Sequence, residues 1–330
     1  MPEKVLVTGG AGFIGHALIE HLLANTNYEI VSLDRLDTSG NLSRLGTLIK
    51  DNPEYQGRLR VVWHDLKAPL NDYVLKKIGH VDYILHLAAG SHVDRSVLIP
   101  MEFVMDNVVG TCNILDYARL HCEDLKLFLY FSTDEVFGAA PEGVVFKEND
   151  RYNSGNPYAA SKAGAEELCV AYENTYRLPI VITHTMNVYG PKQHPEKYIP
   201  LIVNKVLKGE TLEVHSNSEL TKASKRHYLH SEDVASAVLF LMHTHEIGEK
   251  YNIVANQESD NLELALKIAE IMDMPLKYEL VDPQVTRPRH DFRYALCGQK
   301  LKDMGWDQKI DLEAGLKSVI DWFVTNEEWR

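Results

Sequence analysis

The segment Thr8-Gly-Gly-Ala-Gly-Phe-Ile-Gly15 lies directly between an apolar run, Lys4 to Thr8, and an amphipathic stretch, Gly12 to Ala24. Glycines at this spacing leave little choice of local structure. Gly9 permits a tight strand-to-helix turn, Gly12 lets backbone approach a pyrophosphate, and Gly15 lets the helix pack closely on its strand. The exposed N–H groups of the helix that follows, with Phe13 and Ile14 in its first turn, then form an anion site. Asp34 closes the second apolar run 19 residues after Gly15, where a carboxylate binds the ribose hydroxyls of a dinucleotide. That acid repels the extra phosphate of NADP and favours NAD, whereas the neighbouring Arg35 is a residue type that accommodates a 2′-phosphate.

Further along, apolar runs keep alternating with longer amphipathic segments, the pattern of βαβ units and a parallel sheet. Strands are expected at residues 4–8, 28–33, 59–64, 83–87, 127–132, 180–184 and 251–254, and helices near 12–24, 100–121, 157–176, 262–272 and 312–323. Asp65 and Leu66 after the third strand, and Leu87, Ala88 and Ala89 after the fourth, lie where a dinucleotide should pass. The regularity weakens after Asn187, where Tyr-Gly-Pro, Pro195 and Pro200 intervene and Ser216 to Lys225 reads as loop. The expected architecture is α/β. A Rossmann-type doubly wound parallel sheet takes residues 1–186, with the strand near 251–254 returning to it, and a smaller carboxyl-terminal α/β lobe, mainly 187–330, binds substrate.

A chain of 330 residues has the length for such a domain and lobe. Its net charge of -13, without a basic stripe, argues against nucleic acid as a partner. No run approaches about 18 uncharged apolar residues, so no membrane span is expected. Met1-Pro-Glu-Lys enters the first strand without a leader, and Cys112, Cys122, Cys169 and Cys297 form no C-x-x-C pair. Reduced thiols and a cytoplasmic location are therefore expected. His243 and His245 end a helix better than they build a metal site, so no metal is expected.

The chemistry concentrates between Ser132 and Lys162. Ser132-Thr133-Asp134-Glu135 follows the apolar run Leu127 to Phe131, at a strand end where open parallel sheets bind ligands. Asn156-Pro157 is a helix start that sets Tyr158 and Lys162 four apart on one face. There the ammonium can depress the phenol pKa and reach a ribose hydroxyl. A tyrosine so activated removes a hydroxyl proton while hydride leaves for a nicotinamide. Alcohol oxidation needs one base, whereas Asp134 and Glu135 add a second acid and a second base.

Taken together these motifs resemble the extended short-chain dehydrogenase/reductase family over nearly the whole chain. Within it, Ser132-Thr-Asp-Glu-Val-Phe-Gly138 is similar to the signature of the nucleotide-sugar 4,6-dehydratases. Ala88-Ala-Gly-Ser-His-Val-Asp-Arg-Ser96, Asn187-Val-Tyr-Gly-Pro191, Pro195-Glu-Lys-Tyr-Ile-Pro200 and Arg287-Pro-Arg-His-Asp291 agree with that subgroup. The resemblance implies conversion of a nucleoside-diphosphate glucose into its 4-keto-6-deoxy derivative with tightly bound NAD. It assigns Tyr158 to the 4-hydroxyl proton, with Thr133 holding that oxygen and Lys162 tuning the phenol. Glu135 becomes the base at C5 and a protonated Asp134 the acid at the departing 6-hydroxyl. Ser132 joins the cofactor contacts. Ser91, Asn187, Lys197, Arg226, Asn261, Arg287 and His290 become substrate contacts.

The chain departs from this subgroup at Gly90, where Glu is common, and at Arg289, where Gly is usual. The base of the substrate, in dTDP-glucose or UDP-glucose, stays open. A homodimer built on the helices of residues 100–121 and 157–176 is implied. A nucleotide-sugar epimerase and a non-catalytic dinucleotide sensor are the competing readings.

Overall fold

The fold is seen in a computed structural model that describes residues 2–37, 39–283 and 292–330. The first strand, β1 (Lys4–Thr8), shows the logic of the sheet. Val5 and Val7 pack into one apolar cluster and Leu6 into another, so both faces of the strand are buried, as in a central parallel strand. Next come β2 (Glu29–Asp34), β3 (Leu59–Trp63), β4 (Tyr83–His86), β5 (Leu127–Thr133) and β6 (Ile180–Thr185). Three further strands, β7 (Asn187–Tyr189), β8 (Thr211–His215) and β9 (Lys225–His230), precede β10 (Lys250–Ile253), which returns to the sheet. The seven strands lie in the order β10-β6-β5-β4-β1-β2-β3 and every pairing is parallel.

The chain passes from β1 to β2 on one side and reaches β4 on the other, so a crevice opens at the carboxyl ends of these strands. His86 ties the opening together, with Nδ1 2.7 Å from Thr8 Oγ1 and Nε2 3.0 Å from Thr111 Oγ1. Burial lowers its pKa to about 3, so the ring is a neutral strut.

Helices Phe13–Asn25, Pro157–Tyr176, Asn261–Ile271 and Leu312–Thr325 form where the periodicity places them. The second of the expected helices is interrupted. Pro100–Phe103 and Gly110–His121 are α-helical, but Val104–Val109 between them is a π-helical turn, a distortion common at functional sites. Helices Leu42–Asp51, Asp72–Ile78, Val93–Leu98 and Tyr198–Lys208 were not expected, and Ser231–Thr244 was expected only at its end, near His243. Two of them start on a readable cap, since Asn41 accepts from Ser43 N and Asn71 from Val74 N.

Beyond β6, β7 and β9 join β11 (Glu258–Asp260) in a small sheet, and β8 pairs in parallel with β12 (Lys277–Val281). These elements share a separate apolar cluster that includes Tyr189, Ile202, Leu212, Ile268 and Phe323. The stretch after Ser216 is a turn, in which Asn217 Oδ1 accepts from Thr221 N at 2.8 Å and Lys222 N at 3.0 Å. Among the described residues no helix is long and apolar enough to cross a membrane.

Candidate active site

A cleft of about 1600 Å³ runs over the ends of β1, β2, β4, β5 and β6 and on to residues of β8 and β9. Its first stretch is built by the glycines. Gly9 has φ +70°, and a Cβ there would lie 2.9 Å from the Ala88 backbone, while a Cβ on Gly12 would lie 2.9 Å from the Gly9 carbonyl. Gly15 is tighter still against that carbonyl. Helix Phe13–Asn25 has no side-chain cap and no acid in its first turn, so its N–H groups are left to an anion. Phe13, Ile14, Asp65, Leu66, Leu87, Ala88 and Ala89 all line this stretch.

Asp34 stands at the end of β2, its Oδ1 accepting from Leu36 N at 2.8 Å and its Oδ2 from Ala11 N at 3.1 Å. Burial raises its pKa, and those two amides work against the rise. Arg35 beside it is not turned to the cleft as a free cation. Its Nη1 and Nη2 donate to the two oxygens of Asp106 at 2.5 and 2.8 Å, and its Nε donates to Asp37 at 2.6 Å. The cradle, the uncapped helix and the ribose carboxylate together fit a dinucleotide without a 2′-phosphate.

Further along the cleft lie Thr133, Asp134, Glu135, Tyr158 and Lys162. Gly138, with φ +74°, ends the short turn Asp134–Phe137 that carries both acids off β5. Thr133 Oγ1 donates to Asp134 Oδ1 at 3.0 Å and accepts from Glu135 N at 3.3 Å. Asp134 is buried, and burial together with the charge of Glu135 raises its pKa to about 7. Glu135 is held differently. Its Oε2 accepts from Asn156 Nδ2 at 2.9 Å and from Tyr294 Oη at 3.4 Å.

The pair Tyr158 and Lys162 differs from expectation in one respect. Lys162 Nζ donates to the Phe131 carbonyl at 2.6 Å and sits 4.2 Å from the centre of the Tyr130 ring. Burial lowers its pKa to about 8. The Tyr158 phenol is pushed up, first by burial and then by Glu135, with Thr133 acting the other way. Ser132 lines the cleft, but its hydroxyl is spent on Glu166.

On the lobe side Ser91, Asn187, Lys197 and Arg226 line the cleft. Arg226 is buried, donates to the carbonyls of Lys225 and Phe292 at 2.7 and 2.9 Å, and stacks over Tyr294. Asn261 is set back from the cleft, its Oδ1 accepting from Tyr228 Oη at 2.9 Å. Arg287, Arg289 and His290 lie outside the described residues.

A family model described as GDP-mannose 4,6 dehydratase matches residues 6–319. The chain belongs to this dehydratase family. A dTDP-glucose 4,6-dehydratase of Escherichia coli is 36% identical, over 99% of this chain and 95% of that protein. A trifunctional Arabidopsis thaliana protein whose first named activity is UDP-glucose 4,6-dehydratase is 37% identical over 99% of this chain and 48% of its own length. The solved dTDP-glucose 4,6-dehydratase of Streptomyces venezuelae, with NAD bound, superposes with a TM-score of 0.87 at 34% identity, covering 99% of this chain and 98% of that one.

Against this family background, several residues of the site were missed from sequence alone. Asn156 was read only as a helix cap, yet its other side-chain atom holds Glu135. Glu166, one turn beyond Lys162, is fully buried with His184, whose Nε2 lies 3.1 Å away, and it also receives Ser132 and Tyr152. Burial alone would raise its pKa, but His184, Lys250 and Ser132 outweigh burial and hold it below the usual range. An acid at helical spacing on a buried face was the available signal.

Proposed function

We propose that this chain is an NAD-dependent nucleoside-diphosphate-glucose 4,6-dehydratase acting on dTDP-glucose or UDP-glucose. The observation that carries the reading is the pair Asp134 and Glu135 at one strand end, beside Tyr158, with the Asp134 pKa raised to about 7 and Glu135 anchored by an amide. Two adjacent carboxyls in unlike surroundings divide into an acid and a base.

Bound NAD supplies a hydride acceptor, restored at the end, and a cationic ring. Tyr158 takes the proton of the 4-hydroxyl as the C4–H bond breaks, while the Thr133 hydroxyl turns from Asp134 Oδ1 to donate to that oxygen. The raised phenol pKa means that Tyr158 does not stand ready as a phenolate; bound NAD would favour the phenolate by its positive charge, with Lys162 adding to it, and the phenol proton would pass to solvent. With a ketone at C4 the C5 proton becomes acidic, and Glu135 removes it. Asp134 gives its proton to the 6-hydroxyl, which departs as water. Bound NAD would give the hydride back to C6, so no reductant would be consumed, and Glu135 would return its proton to C5.

Residues 187–330 mainly supply the sugar-nucleotide side, with Arg226 as the diphosphate cation because a guanidinium forks onto phosphate oxygens. Asn187 and Lys197 support it, and Arg287 and His290 are kept as proposed contacts from the sequence. The protein works as a cytoplasmic homodimer, a reading supported by its free cysteines and by exposed Met101, Leu120 and Tyr176 on the two helical segments. Incubation with dTDP-glucose and UDP-glucose tests the activity. Mass spectrometry should show loss of water and NMR a ketone at C4. A product of unchanged mass would make the chain an epimerase. Stabilisation by NAD with no response to either sugar nucleotide would make it a sensor.

A further inference from the structure

Arg35 follows the ribose-binding position of Asp34 by one residue, which is where an arginine receives a 2′-phosphate in NADP-dependent proteins. In this fold the guanidinium is already committed. Asp106 takes both terminal nitrogens in a forked pair at 2.5 and 2.8 Å, the geometry in which carboxylate and guanidinium bind most strongly. Asp37 takes Nε at 2.6 Å, and Trp63 Nε1 fixes the Arg35 backbone carbonyl at 2.9 Å.

Asp106 is itself well fixed. Its side chain is 10% exposed and belongs to the π-helical turn Val104–Val109. The next residue, Asn107, pins that turn by accepting from Gly90 N at 2.7 Å and donating to Gly90 O at 3.1 Å and to Ser161 Oγ at 2.8 Å. Gly90 also makes room. A Cβ there would lie 3.2 Å from Asp106 Oδ2 and from the Phe103 ring, so any larger residue would press on the carboxylate. The family departure at Gly90 thus lies against Asp106.

Charge points the same way. Lys67 Nζ lies 3.6 Å from Asp106 and 3.7 Å from Asp65, and Arg35 Nη1 lies 3.8 Å from Asp65. Asp34, Asp37, Asp65 and Asp106 outnumber the cations Arg35, Arg44 and Lys67 around this corner, where a phosphate dianion would have to sit.

We propose that Asp106 is a cofactor-specificity residue, which selects NAD over NADP by holding Arg35 away from the place of a 2′-phosphate. The inference rests on the chain binding a nicotinamide dinucleotide. Its test is a pair of calorimetric titrations, NAD and NADP, on full-length protein stripped of cofactor. Asp106→Asn should strengthen NADP binding about tenfold, while NAD stays within about threefold. Adding Arg35→Ala to that variant should abolish the gain, because the released guanidinium is what binds the phosphate. Asp106→Ser serves where the amide variant does not fold. Folded variants with unmoved NADP affinity would overturn the proposal. So would a wild-type protein that binds NADP as tightly as NAD, which needs no variant at all. A wild type that binds neither dinucleotide would remove the functional reading as well.

Discussion

Asp134 and Glu135 are adjacent and chemically alike, and their surroundings set them apart. Asp134 is buried, with Oδ2 lacking a hydrogen-bond partner among the described residues, and its pKa is raised to about 7 by burial and by Glu135. The acid must be protonated to donate, so the rate of water elimination should fall as pH rises through about 7, read from a pH–rate profile. Stability moves with the same group. Its folded pKa lies above the ordinary 3.8, so its contribution is fully present below about pH 4 and is lost as pH rises through about 7. Asp134→Asn cannot ionise and escapes that loss. Relative to wild type it should gain roughly 1–3 kcal/mol between pH 4 and pH 8 in urea unfolding. Glu135→Gln should keep NAD binding and block loss of water, which mass spectrometry with a calorimetric NAD titration checks; undiminished turnover would remove Glu135 from its role. The types of these residues were readable in the chain. Their unequal pKa values were not, because desolvation depends on what packs around each one.

Helix Pro157–Tyr176 organises the site at the next scale, and Asn156 serves it twice. Oδ1 accepts from Ala159 N at 2.8 Å as a cap, and Nδ2 donates to Glu135 at 2.9 Å. Asp caps as well as Asn, but its second oxygen replaces the amide that donates to Glu135, so Asn156→Asp should lose stability at neutral pH and regain it as Glu135 protonates, whereas Asn156→Ala should lose about 1 kcal/mol. Both should lose activity. The Asp variant should also shift the acidic limb of the pH–rate profile upward, since a new carboxylate beside Glu135 makes it harder to ionise. One turn further on, Glu166 faces Lys162 from the same helix, while Ser132, Tyr152, His184 and Lys250 meet it from neighbouring elements. Burial lowers the Lys162 pKa to about 8, and Glu166 is the first group that opposes this. Glu166→Gln should therefore move the alkaline limb of kcat/KM to lower pH, and Glu166→Asp should restore it. A purely structural role would lower stability without moving that limb. The helix bounds were legible from the Asn-Pro start and the apolar period, but the π-turn at Val104–Val109 was not, since a one-residue shift of the apolar period is small against the breadth of a buried helix face.

For the whole molecule, the exposed apolar residues bear on assembly. Leu120 is 60% and Tyr176 47% exposed, and Arg119 stacks on Tyr176 at 4.7 Å, so the ends of their two helices share one surface. Leu120→Asp should shift the proposed dimer toward monomer in sedimentation velocity while leaving the melting temperature of the monomer close to wild type. All seven strands of the parallel sheet were legible, as were the glycine turn and the Asp34, Thr133, Asp134, Glu135, Tyr158 and Lys162 positions. These follow from local information: the alternation of apolar runs, the freedom of glycine and the four-residue step of a helix. The strands β7, β8, β9, β11 and β12 were not seen, because polar residues break their apolar runs and each draws its burial from partners far along the chain. Tertiary structure alone decided that Arg35 meets Asp106, that Asn156 reaches Glu135 and that Glu166 lies against His184. Such pairings depend on which elements the crossovers bring together and on how completely water is excluded there. Neither is carried by the local pattern of residues.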